Sequence, residues 1–157
     1  MKIVPTCDTS YIKLFINSYH PLGVSGSLRG MMIALWGYER DDAPMPAFLA
    51  VIVYPRSRWT RHNVRYELSR LVIAPYAERS ASTFLRAMCR WLKRNGFSGG
   101  LVTYALPGTT GIVYTRAGFQ SFGFSSGADR ARRGPRGRPT PSTVGTGRKL
   151  PRFVFWL

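Results

Sequence analysis

Proton-transfer chemistry in this chain has few side chains to draw on, because only 7 Asp+Glu and 2 His stand among 157 residues. Each acid or imidazole in a defined position is therefore informative. Glu67 lies in the β-prone run from Tyr66 to Ile73, which Pro75 bounds. Strict alternation would put its carboxylate on one face with Ser69 and Leu71, opposite Tyr66, Leu68 and Arg70. Partial burial raises a carboxylate pKa and suits it to act as a general base. The competing reading is an ion pair with Arg70 or another of the many arginines. His20 ends a helical segment just before a glycine-rich loop, where an imidazole can reach a neighbouring pocket, although a His beside a Pro also serves purely structural ends. His62 falls in a basic loop and is expected to be exposed.

A second constellation is built from backbone. YELSRLVIAPYAERSAS, residues 66 to 82, runs from a strand through a short loop into an amphipathic helix whose apolar stripe is Ala81, Phe84, Leu85, Met88, Cys89 and Leu92. Ser80 and Ser82 are cap-type residues at the helix start. There the unpaired N–H groups and the helix dipole favour an anion such as a pyrophosphate, although an ordinary capped core helix has the same pattern.

The elements that must carry these groups can be followed along the chain. A short strand at residues 2 to 5 precedes a helix capped by Thr9 or Ser10 and carrying Tyr11, Leu14, Phe15 and Ser18, which His20-Pro21 ends. The glycine-rich turn LGVSGSLRG leads into a strand from Met31 to Tyr38. The acidic turn ERDDAPMP then separates it from FLAVIVYP, in the manner of a hairpin with a long tip. After the 66–73 strand and its helix, Asn95-Gly96 is a stop, Leu101 to Leu106 reads as a strand, and GIVYTRAGF as a short helix returning to a strand near 119–124. Residues 125 to 150 are rich in Gly, Pro, Ser and Arg with little to bury, and read as a basic arm or long loop. FVFWL, at 153–157, is too apolar for solvent and is expected to close the sheet of the same domain. The order predicts one α/β domain, a core over 1–124 with a mixed, mostly antiparallel twisted sheet flanked by helices, a 125–150 arm and a closing strand in 151–157.

A formal charge of +16 predicts attraction to polyanions, with nucleic acid the first candidate, while a solvated basic surface is the plainer account. Arg56, Arg58 and Arg61 flank Trp59, which has the makings of a base-stacking platform among phosphate contacts unless the indole is buried. Arg130, Arg132, Arg133, Arg136, Arg138, Arg148 and Lys149 of the arm suit phosphate contacts that supply affinity with little sequence choice. Cys7 and Cys89 are far apart and indicate neither a disulfide framework nor a zinc motif. The N-terminal residues show neither a signal peptide nor a membrane span, and the expected compartment is the cytoplasm.

The element order, with ELSRLVIAP before a capped helix and then LVTYALPGTTGIVYTRAGFQSFGF, resembles the GNAT acyl-CoA N-acyltransferase superfamily over roughly residues 10 to 124. The resemblance implies acetyl-CoA or another acyl-CoA as cofactor. Its pantetheine arm would lie along Leu71, Val72 and Ile73, and its pyrophosphate would sit on Arg79, Ser80, Ala81 and Ser82. The superfamily's Gln/Arg-x-x-Gly-x-Gly/Ala loop falls on Ala77, Ser80 and Ser82, so serines stand in place of both glycines. Tyr114 occupies the position of the general acid that protonates the leaving thiolate, or is a packing ring, and Tyr104 is a second candidate for that proton.

Within the superfamily, YELSRL with R-S-A-S-x-F-L, VTYA, a G-x-x-Y segment and a basic C-terminal portion looks most like the phage Mom-type branch, which modifies adenine in DNA with an acyl-CoA. Tyr19-His20 reverses that branch's His-Tyr dipeptide, Tyr114 matches its tyrosine, Ala105-Leu106 offers no counterpart to its aspartate, and the metal is left open. The resemblance implies an acyltransferase acting on a nucleobase amine, with DNA as partner. The alternatives are an N-acetyltransferase for a protein or small-molecule amine, and a non-catalytic nucleic-acid-binding protein on the same scaffold.

Overall fold

The computed structural model describes residues 1–21, 23, 28, 30–55, 62–106, 109–125 and 150–157. The elements run β1 (Lys2–Thr6), α1 (Thr9–Tyr19), β2 (Met31–Tyr38), β3 (Phe48–Val53), β4 (Val64–Ile73), α2 (Ala81–Arg94), β5 (Gly100–Tyr104), α3 (Ile112–Arg116), β6 (Gln120–Phe124) and β7 (Pro151–Trp156). The described strands form a seven-stranded sheet in the order β1-β2-β3-β4-β5-β7-β6. Only β4 and β5 pair in parallel, through the crossover helix α2. All other neighbours are antiparallel.

The six residues of β3 are all buried, as befits a central strand covered on both faces. On one face α2 and α3 pack over Leu35, Phe48, Ala50, Ile52, Leu68 and Leu101. Phe84 stacks on Phe48 with centroids 5.0 Å apart, and Gly37 leaves room for that ring, since a Cβ there would lie 2.5 Å from it. On the other face α1 seats Ile12, Phe15 and Ile16 against Ala34, Trp36, Leu49, Val51 and Val72. A small cluster of Val64, Val102 and Val154 continues that second face across β5 and β7.

Local chemistry departs from the sequence expectation at both long helices. The α1 cap is Asp8, whose carboxylate accepts from the N–H groups of Ser10 and Tyr11, so neither Thr9 nor Ser10 is the cap. The buried stripe of α1 is Ile12, Phe15 and Ile16, and Leu14 is exposed. In α2 the stripe is as read, except that Ser82 is buried where Ala81 is only half-buried. Cys89 is buried in that stripe with its thiol pushed up to about 12, chiefly by desolvation, and both cysteines are free.

Candidate active site

The site forms where β4 leaves β5. Their ladder pairs Val64 with Gly100, Tyr66 with Leu101 and Glu67 with Val102, and extends no further. β4 runs on for six more residues with β3 on one edge and a gap on the other. At that point β4 holds one extra residue against β3, because Val51 pairs with Arg70 while Ile52 pairs with Leu68, leaving Ser69 as a β-bulge. The bulge turns β4 away from β5, and the buried Thr103 hydroxyl reaches across to the Leu68 carbonyl at 3.3 Å. Among the described residues, no strand pairs with Leu71, Val72 and Ile73 on the edge away from β3. The donors and acceptors of such an edge can pair with an extended amide-containing ligand.

The bulge also corrects the face assignment of β4. Strict alternation placed Glu67 with Leu71 and opposite Arg70. With one residue inserted at Ser69, Leu71 instead joins Leu68 and Tyr66 on the α2 face, while Glu67 and Arg70 share the α1 face and their charges interact. Arg70 joins the candidate site on this geometry, where the sequence offered it only as a possible partner of Glu67. Its Nε donates to the Gly23 carbonyl at 3.3 Å and its NH1 to the Ser69 carbonyl at 2.8 Å, tying the loop after α1 to the bulge. His20, the α1 C-cap, lies in the field of Arg70. Its pKa is lowered from 6.5 first by burial and then by that positive charge, so the imidazole is neutral near pH 7.

Tyr19 sits beside His20 in an aromatic row. Tyr11 and Phe15 flank Trp36, Phe15 meets Tyr19 edge-on at 4.9 Å, and Tyr19 meets Tyr76 at 6.2 Å. The Tyr76 hydroxyl donates to the Pro46 carbonyl at 2.8 Å and fixes the loop after β4 to the β2–β3 turn. Tyr76 is another residue the sequence reading passed over, for lack of any local pattern around it.

Across the sheet, Tyr114 is buried between Phe119 and Phe153. Burial raises its pKa above 10.0 and a hydrogen bond with Thr103 opposes the shift, so the phenol keeps its proton at neutral pH. Gly111 makes this placement possible. It caps α3 at φ +68°, and a Cβ there would stand 2.3 Å from the Phe153 ring. Tyr104 follows Val102 on the opposite face, against the small valine cluster, and so does not share the position of Tyr114.

The loop between β4 and α2 is held by side chains as well as by its own turn. Ser80 caps α2 by accepting from the Thr83 N–H at 3.3 Å, and its hydroxyl lies 3.0 Å from those of both Ser82 and Thr83. The N–H groups of Glu78 and Arg79 donate to one oxygen of Glu39, at 2.8 and 2.6 Å. Ala81 begins the helix and is half-buried.

No protein-family model matches the chain. No curated protein matches it in sequence. Among solved structures the chain is similar to an acetyltransferase from Bacillus subtilis in complex with CoA (TM-score 0.63, 12% identity, 99% of this chain and 98% of that one). It is also similar to an IAA acetyltransferase from Bacillus cereus (TM-score 0.59, 12% identity, 99% and 100%), and to a chain of the NatC complex bound to Gag peptide and CoA (TM-score 0.59, 13% identity, 100% and 99%). The chain has the GNAT acetyltransferase fold. Thr103 links Tyr114 to Leu68 at the parting of β4 and β5.

The nucleic-acid-binding candidates Arg56, Arg58, Trp59 and Arg61, and Arg130, Arg132, Arg133, Arg136, Arg138, Arg148 and Lys149, lie outside the described residues. His62 is exposed and meets Phe122 edge-on at 5.7 Å. Among the described residues, no three His, Cys, Asp or Glu side chains gather as a metal site, and no helix is long and apolar enough to cross a membrane.

Proposed function

We propose that this chain is an acyl-CoA-dependent N-acyltransferase whose acceptor is a nucleobase amine in DNA. The observation that carries the acyltransferase reading is the parting of β4 from β5 at the Ser69 bulge, beside a buried, protonated Tyr114 phenol. The bound acyl-CoA supplies an activated carbonyl and a thiolate leaving group. The backbone of Leu71, Val72 and Ile73 would pair with the pantetheine amides. Ser80, Ala81 and Ser82 would face the diphosphate, joined by the Arg79 N–H once it is released from Glu39. The Tyr114 phenol would give a proton to the departing sulfur, and the phenolate left behind would be reprotonated from solvent before the next turnover. On the α1 face the neutral His20 or the Glu67 carboxylate takes the proton that the acceptor nitrogen sheds, with the Arg70 charge acting on both. Tyr19 and Tyr76 offer flat walls for the acceptor.

The charge of +16 supports a polyanionic acceptor, and the likeness to the Mom-type branch supports adenine. An exocyclic amine of adenine is delocalised and needs extrusion and strong activation, which is what the neutral His20 and the aromatic walls would serve. A second reading, acylation of a protein amine, is supported by the likeness to the peptide-bound NatC chain. Calorimetry at low salt, followed by mass spectrometry of nucleosides from duplex DNA incubated with the protein and acetyl-CoA, separates the two. Heat with CoA and an acylated nucleoside are expected. CoA binding with unmodified nucleosides and acylated peptide would transfer the conclusion to the second reading, and no CoA binding would end both. Deleting residues 129–148 is expected to remove the salt-dependent part of DNA affinity and spare CoA binding.

A further inference from the structure

We infer that Glu39 is an internal stand-in for the cofactor diphosphate, and that it sets the threshold for cofactor entry; the inference rests on the acyl-CoA reading above. Two consecutive N–H groups of the β4–α2 loop, those of Glu78 and Arg79, converge on one Glu39 oxygen at 2.8 and 2.6 Å. Consecutive amides aimed at a single anionic oxygen are the arrangement by which such loops hold phosphate. Here the anion comes from the other side of the hairpin, 39 residues earlier in the chain.

The neighbourhood sharpens the point. Of the 7 Asp+Glu in a chain of charge +16, Glu39, Asp41 and Asp42 lie in the turn after β2 and Glu78 lies in the loop itself. Of these, the Glu39 carboxylate is bonded to the loop amides and Glu78 belongs to the loop, so acidic side chains stand where the proposed diphosphate would bind. The arginine within that turn, Arg40, is already engaged with Asp42 at 3.6 Å. The turn is tied to the loop by Tyr76 donating to the Pro46 carbonyl and by the Ala74 N–H donating to the Ala47 carbonyl at 2.9 Å. These bonds hold Glu39 in register with the loop amides without depending on its carboxylate. The carboxylate can therefore leave without the turn unfolding, and a diphosphate oxygen can take its two donors. Glu39 is a specificity residue in this scheme. It blocks weak single-phosphate anions and yields to a ligand that also gains the β4 edge.

The test compares wild type, Glu39→Ala and Glu39→Gln in the full chain, with CoA, ADP and pantetheine as probes in calorimetry. CoA and ADP are expected to bind Glu39→Ala about tenfold more tightly than wild type, the scale of one exchanged charge-assisted hydrogen bond. Pantetheine, which lacks the diphosphate, is expected to bind both alike. In wild type labelled with nitrogen-15, the Glu78 and Arg79 amide resonances are expected to move on adding CoA. Unchanged or weaker CoA binding by the variants, with wild type binding, would overturn the stand-in and leave the acyl-CoA reading intact. Binding by the variants alone would support it most strongly. Absence of CoA binding in all three proteins would remove the acyl-CoA reading and this inference with it. If Glu39→Ala fails to fold, Glu39→Gln keeps an acceptor for the two N–H groups while losing the charge. It is expected to show a smaller gain for CoA and ADP, and no gain would overturn the proposal.

Discussion

The two sides of the β4–β5 gap are made of different materials. On the α2 side the site is backbone and hydroxyl: an unpaired strand edge, three hydroxyls around Ser80, two loop N–H groups and one buried phenol. On the α1 side it is charge and aromatic surface: His20, Arg70 and Glu67 beside the row from Tyr11 to Tyr76. Backbone donors hold a ligand whose polar groups recur at fixed spacing whatever the side chains are. Titratable groups and rings select one acceptor and move its proton. The contrast fits the proposed division, with cofactor holding on the first side and acceptor chemistry on the second.

The contrast can be broken first at its hinge. Gly111→Ala forces a side chain into the Phe153 ring at positive φ, and is expected to cost about 3 kcal/mol of stability, read as a lowered urea midpoint. Unchanged stability would mean that α3 moves freely and that the Tyr114 position is not specified. Next in size, Tyr114→Phe is expected to lower kcat about a hundredfold while changing stability by less than about 1.5 kcal/mol. Full turnover in that variant would leave the phenol as packing only.

The α1 side is sharpened by pH. The His20 pKa is lowered in the folded chain, so between that value and 6.5 the unfolded state binds more protons than the folded one. The His20 contribution therefore favours folding above 6.5 and is lost progressively as pH falls below it. His20→Asn is expected to flatten the acid side of a plot of urea midpoint against pH, and to remove one limb of the kcat/KM profile. A profile unaltered by the substitution would move the base to Glu67. Least of all, Asp42→Asn breaks an exposed pair of 3.6 Å, and a change under about 0.5 kcal/mol in thermal stability is expected.

Much of the frame was readable from residue order. Phe84, Leu85, Met88, Cys89 and Leu92 recur at helical spacing and are the buried face of α2. Met31 to Tyr38 and Phe48 to Val53 form the central hairpin. In α1 Phe15 is buried as expected, but Leu14 is as apolar as Ile12 and Ile16, and only the position of the sheet tells which of them is covered. The Asp8 cap was missed because Thr9 and Ser10 are equally good capping types. The acidic turn ERDD stood out in a basic chain, yet nothing local joins Glu39 to amides at 78 and 79.

What the residues determined by themselves is the set of elements and the excess of positive charge, because periodicity, capping and composition act over a few residues at a time. The tertiary structure alone decided which groups meet. One unpaired residue at Ser69 reversed the phase of β4 and brought Glu67 to Arg70, since a strand's side chains alternate with a period of two and a single insertion exchanges its faces. Pairing between distant strands, β7 entering between β5 and β6 and the turn after β2 reaching the loop before α2, did the rest. Such contacts are set by the packing of whole layers, which no short window of sequence contains.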